Sequence, residues 1–127
     1  FAYNAGFERS CLRQLAACAG NGSAELLEMA ERVEDFLPLV RTHVYHPKFR
    51  GSFSLKAVLP ALVPEINYED LRVADGQLAS AELETLLLRP EIWPEWRQAL
   101  TRKELLDYCA RDTLALVGLH DWFLEQK

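Results

Sequence analysis

Leu100-Thr101-Arg102-Lys103-Glu104-Leu105-Leu106-Asp107-Tyr108-Cys109-Ala110-Arg111-Asp112-Thr113-Leu114 is the stretch on which the fold turns. Thr101 and Glu104 have the spacing of a capping box, in which the two side chains satisfy free N–H groups of a first helical turn. Leu105, Cys109, Leu116, Leu119 and Phe123 follow at helical spacing, so a helix is predicted from Thr101 to about Leu124. Tyr108 and Asp112, four apart, share one face of it. Asp112 stands where the pattern wants an apolar residue, and burying a lone carboxylate is costly unless it is paired or bound to a cation. A pair with Arg111 or Arg102 would satisfy it as well as a metal ion would.

Moving upstream, Leu78, Ala79, Leu83, Leu86 and Leu87 mark a helix that ends before Pro90, and Trp93-Pro94-Glu95-Trp96 begins another short piece. Residues 64–76 read as loop, with Asp75-Gly76 as a turn. Ser54 is expected to cap a helix from Leu55 to about Leu62, strained or broken at Pro60. Between His43 and Phe53 periodicity fails and a basic, aromatic loop is expected. Asp35 followed by Pro38 reads as a helix start, because proline fits the first turn. Residues 33–36 suit a second short strand or the end of a helix that Ser23 caps. Phe7 to Ala19 is a further predicted helix, with Phe7, Cys11, Leu12, Leu15 and Cys18 on one face and Gly20-Asn21-Gly22 ending it. Phe1 to Asn4 look like the end of a buried strand, and their abrupt start suggests a piece of a longer protein.

The chain has 127 residues, enough for one core, so a single unit over 1–127 is expected. The sequence has no run of the roughly 20 apolar residues needed to span a bilayer and no signal segment at its start, which makes a soluble cytoplasmic protein the default. Cys11, Cys18 and Cys109 form no C-x-x-C pair and read as small buried apolar residues, not as a disulfide framework or zinc site. His43 and His46 lack the thiolates a zinc site would want. The formal charge of −5 disfavours indiscriminate nucleic-acid binding. No acid lies between Asp35 and Glu65, however, while Arg41, Lys48, Arg50 and Lys56 fall in that gap. Lys48-Phe49-Arg50-Gly51-Ser52-Phe53 mixes cations with rings that suit single-strand binding, or equally a solvated loop pinned by Phe49 and Phe53. Trp93, Trp96 and Trp122 are expected to pack rather than to stack on bases.

Asn4-Ala5-Gly6-Phe7-Glu8 resembles the second motif of the DEDD 3′-to-5′ exonucleases, N-x-x-F-D, and Tyr108-Cys109-Ala110-Arg111-Asp112 resembles their third, Y-x-x-x-D, in the tyrosine (DEDDy) form. Asp35-Phe36-Leu37 and Ser54-Leu55-Lys56 are similar to segments found between those motifs. The whole chain also resembles a bacterial family of domains of unknown function grouped with ribonuclease H-like folds. Two departures stand out. Glu8 replaces the usual Asp, moving the carboxylate by about 1.5 Å, one C–C bond; and the first motif, D-x-E, is absent, Glu82-Leu83-Glu84 being its nearest imitation.

What the resemblance implies is an α/β fold class: the C-terminal, mostly helical portion of a ribonuclease H-like fold, with one or two short strands and the first-motif strands upstream. It implies Mg²⁺ or Mn²⁺ held by Glu8 and Asp112, with Tyr108 orienting the attacking water. Asn4, Phe7, Lys48, Arg50 and Lys56 would bind substrate, a single-stranded 3′ end, and the intact protein would be the active nuclease while this piece cleaves nothing. An apolar surface left by absent strands would favour homodimers of the piece. Blander readings stand beside these. Asn4 can cap a helix, Glu8 can be a solvated residue favoured by the helix dipole, and the fold can be a non-catalytic module that binds nucleic acid or a partner protein. A helical interaction domain with chance motif matches is the third.

Overall fold

The computed structural model describes residues 1–126. Among the described residues six α-helices carry the fold: α1 (Gly6–Cys18), α2 (Ser23–Arg32), α3 (Phe36–His43), α4 (Leu55–Leu62), α5 (Gly76–Leu88) and α6 (Glu95–Glu125), with short 3₁₀ turns at Gly20–Gly22, Pro47–Phe49 and Pro90–Ile92. The expected α/β class is therefore corrected to an all-helical one, since no strand forms among the described residues. Within the segments expected as strands, Val33 and Asp35 are extended, and the two segments meet in one parallel bridge, Ala2 with Asp35. Ala2 donates to the Glu34 carbonyl at 2.8 Å and Phe36 donates to the Ala2 carbonyl at 3.0 Å. The ladder stops there because Asn4 turns into the left-handed region (φ 66°) and Asp35 already caps α3. Two residues of pairing leave no room for a sheet.

The chain divides into two compact units, the first Phe1–Ala61 and the second from Leu62 on. In the first, α1 and α2 pack together across the Gly20–Gly22 turn, where Gly20 takes a positive φ of 54°. Arg9 donates to the Val33 carbonyl at 2.6 Å and Arg13 pairs with Glu31 at 2.8 Å. Asp35 organises the entry to both α1 and α3: its carboxylate accepts the backbone N–H groups of Asn4, Ala5 and Leu37 at 2.9, 3.0 and 2.9 Å. Burial works to raise the Asp35 carboxyl, but the Leu37, Ala5 and Asn4 donors outweigh it and hold it below its ordinary value. Ala16, Ala30, Phe36, Val40, Phe49, Val58 and Leu59 are buried. The predicted face of α1 is only partly used, for Phe7 and Leu15 are exposed. Ser23 opens α2 without acting as a side-chain cap. Pro60 lies inside an unbroken α4.

In the second unit Asp75 caps α5 by accepting from Leu78 N–H at 2.8 Å. Helix α6 begins at Glu95, not at Thr101, because Gln98, Ala99 and Leu100 are helix formers and nothing interrupts the run from Pro94. Thr101 is fully buried in mid-helix, and Glu104, its expected box partner, instead meets Arg72 and Arg97. Gly118 lets the chain after α4 lie against α6: a Cβ there would stand 2.6 Å from Ile66 Cδ1 and 3.2 Å from Val63 Cγ1. Val73, Leu86, Ala115 and Leu119 complete this core. The cysteines are not the buried apolar residues expected, Cys18 and Cys109 being exposed and Cys11 intermediate, all three unbridged. Trp96 is exposed as well, whereas Trp93 lies under Arg97, 5.5 Å from its ring centre, and Trp122 packs edge-on to Phe123. Among the described residues no helix is long and apolar enough to cross a membrane.

Candidate functional site

The second unit brings Tyr108 and Asp112 together as their four-residue spacing requires, and adds a residue that spacing does not reveal. Tyr68, from the loop between α4 and α5, donates its hydroxyl to Asp112 Oδ1 at 2.7 Å. Its ring lies 6.4 Å from that of Tyr108, tilted by 48°. The loop is tied down one residue earlier on the helix. Arg111 grips Asp70 through both guanidinium nitrogens, each at 2.8 Å, and also donates to the Asn67 carbonyl. Asn67 Oδ1 accepts from Glu69 N–H and the Tyr68 carbonyl from Leu71 N–H, so residues 67–71 form a tight turn that presents Tyr68 to α6. The forked ion pair places the turn; the turn places the phenol.

Asp112 is half-buried and does not use the arginine partners that spacing allowed. Arg111 belongs to Asp70, and Asp112 takes hydroxyl donors. Burial, the bond to Asp112 and the charge of that carboxylate push the Tyr68 phenol well above its ordinary value. Burial, then the Asp112 charge and a hydrogen bond to it, raise Tyr108 to about 12. Tyr108 also lines an apolar hollow of about 280 Å³, together with Leu83, Leu86, Leu105 and Leu106. Its hydroxyl also lies near the start of α5, where a Cβ on Gly76 would stand 3.8 Å from it. Both phenols hold their protons at neutral pH, so each can orient a neighbour and neither can act as a base there.

In the first unit Asn4, Phe7 and Glu8 cluster at the start of α1. Asn4 is not a cap. The N-cap position is Ala5, with no side-chain bond, and Asn4 occupies a left-handed turn that asparagine tolerates. Phe7 is 74% exposed and Glu8 is exposed in the first turn. Lys48 and Arg50 lie exposed on the 3₁₀ turn after α3, and Lys56 lies in the first turn of α4. Phe49 is buried against Phe53 and His46, with ring centres 6.0 and 5.9 Å away, so it anchors the loop and does not offer a stacking face. His46 accepts the Lys48 N–H and thereby caps the turn. The ring presented outward is Tyr45, 86% exposed.

Hard divalent cations suit this oxygen chemistry. Magnesium is commonly held by one or two carboxylates together with waters and substrate phosphates, and Asp112 is the carboxylate this cluster offers. Among the described residues no group of three or more His, Cys, Asp or Glu converges as a ready-made metal cluster. Glu8 belongs to the first unit and Asp112 to the second.

The family described as "Domain of unknown function (DUF2779)" matches residues 1–54, a span that takes in Asn4, Phe7, Glu8, Lys48 and Arg50 and stops short of Tyr108 and Asp112. No curated protein and no solved structure matches the chain. The likeness thus rests on residues within the first unit, and the description of that family assigns no activity.

Proposed function

We propose that these residues form part of a metal-dependent 3′-to-5′ exonuclease of the DEDDy type, acting on single-stranded 3′ ends in the protein that carries them. One observation supports the reading above the others: Asp112 accepts the Tyr68 hydroxyl at 2.7 Å, and Tyr108, one turn earlier on the same helix face, reaches the same carboxylate. Bound Mg²⁺ or Mn²⁺ would supply the Lewis acid that activates water and steadies the leaving oxygen. Asp112 would be the ligand that the second unit offers, and Glu8, by the motif resemblance alone, a candidate ligand in the first. Tyr108, protonated at neutral pH, orients the attacking water by hydrogen bonding and does not deprotonate it. Lys48, Arg50 and Lys56 attract the phosphate backbone, with Asn4 and Phe7 at the substrate side of α1. The test is twofold. Mg²⁺-dependent shortening of a 5′-labelled single strand by the carrying protein should vanish in Asp112→Ala, and Mn²⁺ binding to the present chain, read by electron paramagnetic resonance, should weaken in Asp112→Ala and in Glu8→Ala. Unchanged Mn²⁺ affinity in both variants would overturn the reading.

A second reading, a non-catalytic module that binds single-stranded nucleic acid, is favoured by the acid-free segment 36–64 and the outward ring of Tyr45 within it. It predicts oligonucleotide binding that needs no metal. Such binding would weaken with salt and in Lys48→Ala/Arg50→Ala, and would be indifferent to Asp112→Ala.

A further inference from the structure

Tyr45 turns most of its ring to solvent, at 86% exposure, from a stretch of backbone that is fastened on both sides of it. Before it, Val44 N–H donates to the Val40 carbonyl at 3.0 Å and closes the last turn of α3. After it, the His46 ring accepts Lys48 N–H at 3.2 Å, Phe49 and Arg50 donate to the His46 and Pro47 carbonyls at 3.0 and 3.2 Å, and Ser52 donates to the Phe49 carbonyl at 2.8 Å. The buried Phe49 ring and the bond from the Tyr3 hydroxyl to the Phe53 carbonyl, 2.7 Å, anchor the far end. Arg50 sits in this frame at φ 49° and ψ 34°, a left-handed position that glycine or asparagine would hold at lower cost. A long cation placed where its own backbone is strained is the kind of outlier from which function is inferred. Lys48 and Arg50 are both exposed, and the first unit's ion pairs, Arg13–Glu31 and Arg32–Glu28, engage neither.

We infer that residues 45–50 are a preset grip for one unpaired nucleotide, its base stacked on Tyr45 and its flanking phosphates met by Lys48 and Arg50. The inference rests on the second reading above, that this segment binds single strands, and adds how it tells them from a duplex. Every base has a π-face, so one phenol ring takes any of them, whereas in a duplex both faces of each internal base are covered by its neighbours. Toward a duplex only the cations act, and their attraction to phosphate falls with salt. The fastened backbone leaves little chain to order on binding, which spares a cost that a loose loop would incur. The lack of any acid from residue 36 to residue 64 keeps out of the segment the carboxylates that would repel a phosphate.

The experiment titrates the chain, with EDTA present, into a fluorescently labelled oligothymidylate, into the duplex it forms with oligoadenylate, and into vesicles of phosphatidylserine and phosphatidylcholine. The variants are Tyr45→Ala, Tyr45→Phe and Arg50→Gly, with folding checked by thermal unfolding. Tyr45→Ala should weaken single-strand binding by about fivefold or more, the effect of one stacked base, and leave duplex binding and the salt slope unchanged, while Tyr45→Phe keeps full affinity. Arg50→Gly should weaken single strand and duplex alike and lower the salt slope by about one, with an unfolding temperature that does not fall because the strain is relieved. A single strand bound as tightly by Tyr45→Ala as by the unaltered chain would overturn the grip and leave the second reading standing, as would equal losses for single strand and duplex in that variant. A Tyr45→Phe chain as weak as Tyr45→Ala would place the effect on the hydroxyl and overturn the stacking. No binding of the single strand, or binding to the vesicles in its place, would overturn the grip and the second reading together.

Discussion

Replacing Glu104 by glutamine tests the packing of the second unit through its most enclosed charges. Arg72 lies 2.5 Å from Glu104 Oε2 and 3.0 Å from Glu82 Oε1, and Arg97 faces the same two oxygens at 3.9 and 3.4 Å. The glutamate side chains are 12 and 15% exposed, so α5, α6 and the loop bearing Arg72 meet around a nearly closed square of charge. Glutamine keeps the shape and removes one negative charge, leaving two guanidinium groups facing one carboxylate. A hydrogen bond to a charged group contributes about 1.5–3 kcal/mol. Because the Arg72 side chain is 39% exposed, water recovers part of the loss, and we expect about 2 kcal/mol of destabilisation. For a unit of this size that lowers Tm by roughly 8–16 °C. The bond from Arg72 holds the Glu104 carboxyl below its ordinary 4.5. A depressed folded-state value means stabilisation that is present above the ordinary value and lost as pH falls through the folded one. The gap between the two chains should therefore be full at pH 7 and shrink as pH falls below that ordinary 4.5. Thermal unfolding followed by circular dichroism at pH 7 and pH 3 measures both. A gap under about 0.5 kcal/mol at pH 7, the size of an ordinary surface change, or one that persists undiminished at pH 3, would refute the reasoning.

Asp35→Ala removes the acceptor of three backbone N–H groups and should cost about 2–3 kcal/mol at neutral pH by urea unfolding; because the Asp35 carboxyl is held low, the loss should shrink as pH falls through and below its ordinary 3.8. Asn4→Ala should destabilise by about 1 kcal/mol and Asn4→Gly should be neutral or better, since the positive φ of 66° is the constraint; equal losses in both would instead reveal a side-chain role. Phe49→Ala should cost about 3–5 kcal/mol, and hydrogen exchange should quicken first in residues 45–53, the loop that this buried ring anchors.

How much of this was legible depends on whether a signal is local. The α3 start at Asp35, the apolar run of α5 and the pairing of Tyr108 with Asp112 follow from spacing within a few residues, and each stands as read. Thr101 shows where local reading fails: a capping box marks a helix start only if the chain before it cannot be helical, and the run from Glu95 to Leu100 can. The strands failed for the opposite reason. Residues 1–4 and 33–36 have the apolar character of strands and do bridge, but a ladder needs length, and Asn4 and Asp35 end it after one pair. Tyr68 carries no local signal at all. It sits in an aperiodic loop, tied to α6 by the grip of Arg111 on Asp70, 41 residues away, and its hydroxyl reaches Asp112. The same grip explains why Asp112 lacks the arginine partner its position suggested: Arg111 is spent on placing the loop, and the loop returns a phenol in its stead. A carboxylate held by neutral donors keeps its negative charge uncancelled, which is the condition a cation ligand must meet and an internal salt bridge would remove.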